Sequence, residues 1–165
     1  MKAPTKKTTL AFLFFFSFLF SQDIGDLSIG NSKGFAVIGD SQTSDPTEVL
    51  SSSGLEARTK LFLRKNGLSY VSPEETAAFL SASLLAFQNQ AEDGEFTGDY
   101  VFSLSLEFYQ VVEVSVTEHL TWGLTWSEVY LGFAPSLEEA REIIFNKLEE
   151  QVDVFSVRFI EDNNF

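Results

Sequence analysis

The sequence lacks several residue types on which common kinds of site depend. Its 165 residues include no cysteine and one histidine, which excludes disulfides, thiolate metal ligands, cysteine nucleophiles and metal sites with several histidines. Basic residues are also few, since 11 Lys and Arg stand against 24 Asp and Glu, a formal net charge of −13. Nucleic-acid binding depends on clustered Lys and Arg, so this balance argues against a nucleic-acid partner. We expect no cofactor.

Apolar residues, by contrast, are abundant enough to build a core. The chain is 44% hydrophobic, with 18 Phe and only 4 Pro. A chain of this length and composition is typical of one folded domain.

Residues 1–21 have the pattern of a secretory signal peptide. Three lysines precede an apolar run from Leu10 to Phe20, in which Ser17 is the one polar residue. As a helix, this 11-residue run would reach roughly 16 Å, about half of a ~30 Å hydrocarbon core, so it is short for a membrane span. The pattern predicts export to the periplasm or the exterior, with cleavage between Ser21 and Gln22. Retention as an uncleaved anchor is the alternative.

Removal of the leader would leave an acidic chain of 144 residues. It would carry eight basic and 24 acidic residues, a formal charge of −16. No second apolar stretch of membrane length follows, so we expect no stable membrane span after cleavage. The predicted organisation is a flexible lead-in over residues 22–33, a single domain over residues 34–160 and a polar tail over residues 161–165.

A short predicted strand, Phe35–Ile38, runs into Gly39, Asp40 and Ser41. An apolar strand that ends in Gly-Asp-Ser is how the nucleophile block of GDSL-type esterases begins. Those enzymes need a catalytic base, and the one histidine, His119, has no aspartate three residues before it. We therefore interpret Gly-Asp-Ser as ordinary turn chemistry and His119 as an exposed turn residue, and we predict no catalytic residues.

The first long helix is predicted from a cap at Asp45 to a stop at Asn66 and Gly67. Four cations on its outer face form a candidate interaction patch: Arg58, Lys60, Arg64 and Lys65. They could dock an acidic partner or lipid headgroups. The favoured interpretation is a solvated helix face whose last cations complement the helix dipole.

The next segment predicts a strand over Leu68–Val71, a short helix over Ser72–Leu80 and a strand over Ala82–Gln90. The acidic loop that follows, Ala91–Asp99, raises the hypothesis of calcium binding. Aligning Gly94 with the sixth position of an EF-hand loop leaves two required oxygen ligands missing. We expect a solvated loop and no metal site.

Alternation of apolar and polar residues, with the apolar face broken only by Gln110, predicts two long strands, Tyr100–Val116 and Leu120–Tyr130. A three-residue loop between them would place Val114 opposite Trp122 and would make both apolar faces coincide. Trp122 and Trp126 are then core aromatics rather than a ligand-stacking pair.

The last element is a long amphipathic helix that begins after a capping box at Ser136 and carries an apolar stripe to Phe159. Together these elements predict an α+β two-layer sandwich. Its mainly antiparallel sheet would have about five strands, with two long helices on one face.

Several stretches resemble a broad group of exported bacterial proteins that have no assigned function. They are Leu61–Leu68 followed by Val71–Glu75, Leu106–Val112, Thr125-Trp126 with Gly132 after it, and Val152–Phe155. The likeness covers most of residues 55–160. It implies a periplasmic or secreted location and an α+β domain, and it carries over no catalytic residues. The order of layers is similar to small envelope accessory domains.

The favoured function is a non-catalytic binding or envelope accessory module that contacts another envelope protein through the exposed sheet face or a sheet edge. The alternative is a soluble binder or carrier of a small apolar ligand in the gap between helices and sheet. A hydrolase is the least favoured interpretation, and we expect no enzymatic activity.

Overall fold

The computed structural model describes residues 20–23, 27–29, 34–43, 49–92, 94–114, 116 and 118–163. Within these residues the elements are β1 (Phe20–Asp23), β2 (Ala36–Thr43), α1 (Ser52–Lys65), β3 (Ala78–Gln90), β4 (Phe96–Val114), β5 (His119–Ala134) and α2 (Leu137–Asn163). The predicted α+β class is confirmed.

The sheet is mixed, and its strands stand in the order β1-β5-β4-β3-β2. Strands β3, β4 and β5 form an antiparallel meander, and the four residues of β1 pair antiparallel with β5. Strand β2 instead runs parallel to β3. The parallel pair arises because α1 crosses over between β2 and β3 and returns the chain to the same end of the sheet.

Both helices pack on one face of the sheet, with α1 on β2 and β3 and α2 on β4 and β5. The approach of α1 is close, because a Cβ atom at Gly39 would lie 2.4 Å from the carbonyl oxygen of Ser52. Under α2, the ring of Phe155 lies 5.5 Å from Phe35 and 5.3 Å from Phe108. Such clusters of buried rings contribute much of the burial energy of a core.

Helix α1 begins later than the sequence predicts. Its cap is Ser51, whose hydroxyl accepts a hydrogen bond from the backbone N–H of Gly54 at 3.1 Å. The predicted cap, Asp45, lies outside the described residues. The predicted end is confirmed, since Asn66 is the C-cap and Gly67 follows with a φ of +79°.

The predicted strand Leu68–Val71 and helix Ser72–Leu80 are wrong. One 3-10 turn, Pro73–Glu75, is followed by β3, which already begins at Ala78. The Ser72 N–H donates to the Glu75 carboxylate at 3.2 Å, so the capping box forms but closes a single turn. The alternating burial that starts at Ala78 then favours a strand.

The predicted pairing of Val114 with Trp122 is also wrong. Val114 pairs with His119, and Trp122 pairs with Val111 on the far side of a β-bulge. In the bulge, Thr125 is an extra residue in β5, between the partner of Phe108 and that of Tyr109. One extra residue moves every later side chain to the opposite face. Trp126 therefore lies in the core as predicted, whereas Trp122 does not.

Gln110 fixes the bulge from inside the sheet. Its Nε2 donates to the Thr125 hydroxyl at 3.0 Å, and that hydroxyl lies 3.3 Å from the carbonyl oxygen of Phe108. The buried amide of Gln110 therefore supplies a hydrogen bond where the backbone pairing between β4 and β5 is interrupted. The predicted apolar stripe on β4 is interrupted at Gln110 for this reason.

Parts of the predicted lead-in and tail belong to the folded domain. Leu27 is buried, and Asn163 binds this segment by accepting from the Ile29 N–H at 3.0 Å and donating to the Leu27 carbonyl at 3.1 Å. Helix α2 accordingly continues to Asn163. The predicted cleavage point after Ser21 falls within β1, and residues 1–19 of the predicted leader lie outside the described residues.

Across the part of the chain that the structure describes, neither helix combines the length and the apolar character that crossing a membrane requires.

Candidate binding surface

The face of the sheet opposite the two helices, called here the outer face, carries exposed apolar side chains. Five of them form what we call the apolar patch: Leu85, Phe87, Val101, Leu131 and Phe133, each 39–51% exposed. The register makes the patch continuous, because Val101 pairs with both Phe87 and Phe133 across three strands. Side chains in such a row touch their cross-strand neighbours.

Small hydroxyl side chains occupy the middle of the outer face. They are Ser81, Ser83, Ser103, Ser105 and Ser127, of which Ser81 and Ser83 have hydroxyl oxygens 3.5 Å apart. Short side chains leave this region flat, and their hydroxyls can both donate and accept hydrogen bonds.

Aromatic rings close the other end of the outer face. Phe79 stacks on Tyr109 with ring centroids 5.0 Å apart and lies 5.0 Å from the ring of Trp122. The Tyr109 hydroxyl donates to Glu107 at 2.7 Å. This hydrogen bond, together with burial and the charge of Glu107, raises the pKa of Tyr109 to about 12. Tyr109 therefore stays a neutral donor at physiological pH.

Strands β4 and β5 extend beyond the rest of the sheet as a two-stranded ribbon. Strand β3 begins at Ala78, opposite Gln110, so residues 111–114, 116 and 118–122 pair with no residue of β3. We call these residues the hairpin end. Its apolar side chains are strongly exposed, with Val116 at 91%, Leu120 at 73% and Trp122 at 52%.

The five strands and the described parts of the loops that join them contain no Lys or Arg. No Lys or Arg occurs between Lys65 and Arg141, a stretch that contains twelve acidic residues. Every Lys and Arg within the described ranges lies instead on α1 or α2. The outer face and the hairpin end are therefore apolar surfaces whose neighbouring charged side chains are acidic.

The four cations of the predicted interaction patch all contact side chains of this chain. Their partners are the ring of Phe145 for Arg58 at 4.4 Å, Glu56 for Lys60 at 2.5 Å, the Tyr70 hydroxyl for Arg64, and Glu149 for Lys65 at 2.9 Å. Exposed pairs of this kind add little to stability. Docking through this patch stays a prediction.

The structure does not bring together Asp40, Ser41 and His119. The Ser41 hydroxyl donates to the Leu50 carbonyl at 2.6 Å, and Ser41 lies level with Tyr130 across the sheet. His119 is eleven residues further along β5, or roughly 35 Å at about 3.3 Å per residue. A Ser-His pair of the esterase kind cannot form at that separation.

The acidic loop after β3 turns through Gly94, whose φ is +87°. Its Asp93 lies outside the described residues. Among the residues that are described, no three His, Asp or Glu side chains converge as metal ligands would.

The predicted apolar-ligand site lies between the helices and the sheet. Where the structure describes this space under α2, rings fill it, since Phe155 lies 5.4 Å from Trp126 and Phe159 lies 4.9 Å from Phe35. The carrier hypothesis stays a prediction.

The sequence reasoning missed a buried acid, Glu128, on the helix-facing side of β5. Burial and the nearby charge of Glu150 raise the pKa of Glu128, and Lys147 partly opposes this. Within the described part of the chain, its Oε2 and the Oε1 of Gln151 have no hydrogen-bond partner. The signal was the alternation itself, because Glu128 occupies a core position between Trp126 and Tyr130.

No family model matches the chain, and no curated protein matches it significantly. Two solved structures from Paraburkholderia phytofirmans are similar in outline. A point variant of the PelC dodecamer has 16% identity and a TM-score of 0.46 over 81% of this chain and 95% of that chain. A second PelC dodecamer has 12% identity and a TM-score of 0.46 over 83% and 97%, respectively. Neither likeness is close enough to carry a property of those assemblies to this chain.

Proposed function

We propose that this chain is an exported, non-catalytic binding or accessory module that contacts another envelope protein through the outer face of its sheet. The observation that carries the proposal is the apolar patch, in which five half-exposed side chains are continuous across β3, β4 and β5. Its exposed apolar area is on the order of 400 Å², within the range of largest surface patches that are often functional.

The chemistry of the rest of the outer face suits protein contact. Interfaces combine an apolar centre with polar groups that form hydrogen bonds at the rim. Here the serine rows lie directly beside the apolar patch, because Ser103 pairs with both Leu85 and Leu131. A partner strand or loop could therefore bury the apolar side chains and still satisfy its own polar groups.

Export is supported by the lysines and the apolar run of the leader. The measurement is the intact mass of the protein isolated from cells. The expected mass corresponds to a chain that begins at or near Gln22. A cytosolic protein that retains Met1 would refute export.

Contact through the outer face can be tested by photocrosslinking in cells. A photoreactive amino acid replaces Leu131 in the apolar patch or, as a matched control, Val157, an exposed apolar residue on α2. We expect a reproducible protein adduct from position 131 and a far weaker one from position 157. Equal adducts from both positions, or none from position 131, would contradict the proposal.

A further inference from the structure

The hairpin end exposes apolar side chains beyond the body of the sheet, where the fold gives them little cover. Val116 and Leu120 have 91% and 73% of their surface in contact with solvent. Exposure of this extent brings no burial energy to the folded chain. These side chains are available to a partner that can bury them.

Trp122, in contrast, is held in a defined position at the base of the hairpin end. Its ring packs on Phe79, and half of its surface remains exposed. A tryptophan whose orientation is already fixed loses little entropy on binding and can serve as an anchor. The bulge at Thr125 places it there by turning it away from the core.

Two carboxylates border the apolar side chains of the hairpin end. Glu113 pairs with Leu120 across the ribbon, and Glu118 stands in the turn. Glu118 has a φ of +52°, a left-handed conformation that glycine or asparagine would adopt at lower cost. The turn therefore holds a carboxylate in a strained backbone position, as is common at binding sites.

The charges select the chemistry of the partner. With no Lys or Arg between Lys65 and Arg141, the chain itself offers no cation from the sheet to neutralise Glu113 or Glu118. A lipid surface is a poor match, because peripheral membrane elements usually carry Lys and Arg beside their apolar side chains. A protein segment with basic and apolar side chains together matches both features.

We propose that the hairpin end is a docking site for a protein segment that carries Lys or Arg beside apolar side chains. The apolar side chains of the segment pack on Val116, Leu120 and Trp122, and its cations pair with Glu113 and Glu118. This inference rests on the proposed binding function, and it adds to the outer face a second surface with a stated class of partner.

The test uses the emission of Trp122 in the full chain. Replacing Trp126, the only other tryptophan and a core residue, with phenylalanine makes Trp122 the single reporter, and urea unfolding confirms that this variant is folded. The probes are an amphipathic peptide of Leu and Lys, the same peptide with Glu in place of Lys, and phosphatidylcholine vesicles. We expect a saturable blue shift with the Lys peptide and at least tenfold weaker binding of the Glu peptide.

Two variants separate the apolar and the charged contributions. Val116→Ser combined with Leu120→Ser should lower the affinity for the Lys peptide about tenfold. Glu113→Gln combined with Glu118→Gln should remove most of the salt dependence of the binding of that peptide. The control is Val154→Ser combined with Val157→Ser, two exposed apolar residues on α2, which should bind as the parent does. Equal binding of both peptides, no loss in the hairpin variants, or a blue shift with vesicles alone would overturn the inference.

These results are separable from those that test the proposed function. If position 131 still yields its photocrosslinked adduct while the hairpin end binds neither peptide, the inference about the hairpin end fails and the module proposal stands. If position 131 yields no adduct, the module proposal itself fails.

Discussion

Replacing Glu128 by glutamine should stabilise the protein at neutral pH. Glu128 lies on the helix-facing side of β5, and its Oε2 has no partner among the described residues. Burial and the charge of Glu150 raise the pKa of this carboxyl. Glutamine has nearly the same shape but never ionises, so Glu128→Gln removes the cost of a buried charge without creating a cavity.

The pH dependence follows from the direction of the pKa shift. Because the pKa of Glu128 is raised on folding, the folded state keeps a proton that the unfolded state releases. The stability that this group contributes is complete below its unfolded pKa and is lost as the pH rises through its folded pKa. The advantage of Glu128→Gln should therefore be largest at pH 8, about 1–3 kcal/mol for relief of a buried charge, and should shrink towards pH 4.

The assay is urea denaturation of the parent and Glu128→Gln at pH 4, 6 and 8. The control is Glu142→Gln, an exposed acid on α2, which should change the free energy of unfolding by less than about 0.5 kcal/mol. A Glu128→Gln protein that is less stable than the parent at pH 8 would refute the reasoning. An advantage that is equal at all three pH values would refute it as well.

Three further predictions concern the core, the chain ends and the outer face. Phe155→Ala should cost about 3–5 kcal/mol of unfolding free energy in urea denaturation, because it removes a ring in contact with several others; a loss below 1 kcal/mol would contradict this. Asn163→Ala should cost about 1–2 kcal/mol and speed hydrogen exchange at the Ile29 amide, since the side chain accepts from that N–H; unchanged exchange would count against the contact. Glu107→Gln should lower the pKa of Tyr109 from about 12 towards its usual value near 10 in an absorbance titration; no change would show that Glu107 is not the cause.

The sequence predicts the fold best where its periodicity is unbroken. From Tyr100 to Phe108 every second residue is apolar, and each residue of that series is buried against the helices as expected, while Val101 between them lies on the outer face. The stripe from Ile144 to Phe159 in α2 is buried in the same way. In such stretches the side-chain period alone fixes which face is dry.

The candidate site was less predictable, because it depends on a break in that period. Thr125 adds one residue to β5 while the alternation on either side continues, so a regular strand and a bulged strand have the same local pattern. The consequence is large, since the bulge turns Trp122 from a predicted core residue into part of the exposed surface. The polar residue Gln110 within the apolar stripe of β4 was the available signal.

A correct helix-start signal also led to a wrong prediction of helix length. The Ser72 capping box forms as the sequence indicates, yet it is followed by only one turn because the residues from Ala78 onward complete the sheet. Tertiary pairing outweighs the helix-start signal there.

Binding of the purified partner tests the central claim, contact through the outer face, most directly. The partner is the protein identified by photocrosslinking, and its affinity is measured by calorimetry for the parent, Phe133→Ser and Val157→Ser. Phe133 and Val157 are both exposed apolar residues, one in the apolar patch and one on α2. The account predicts at least tenfold weaker binding for Phe133→Ser, with unchanged unfolding free energy, and parent-like binding for Val157→Ser. Parent-like binding of Phe133→Ser, or an equal loss in Val157→Ser, would contradict it.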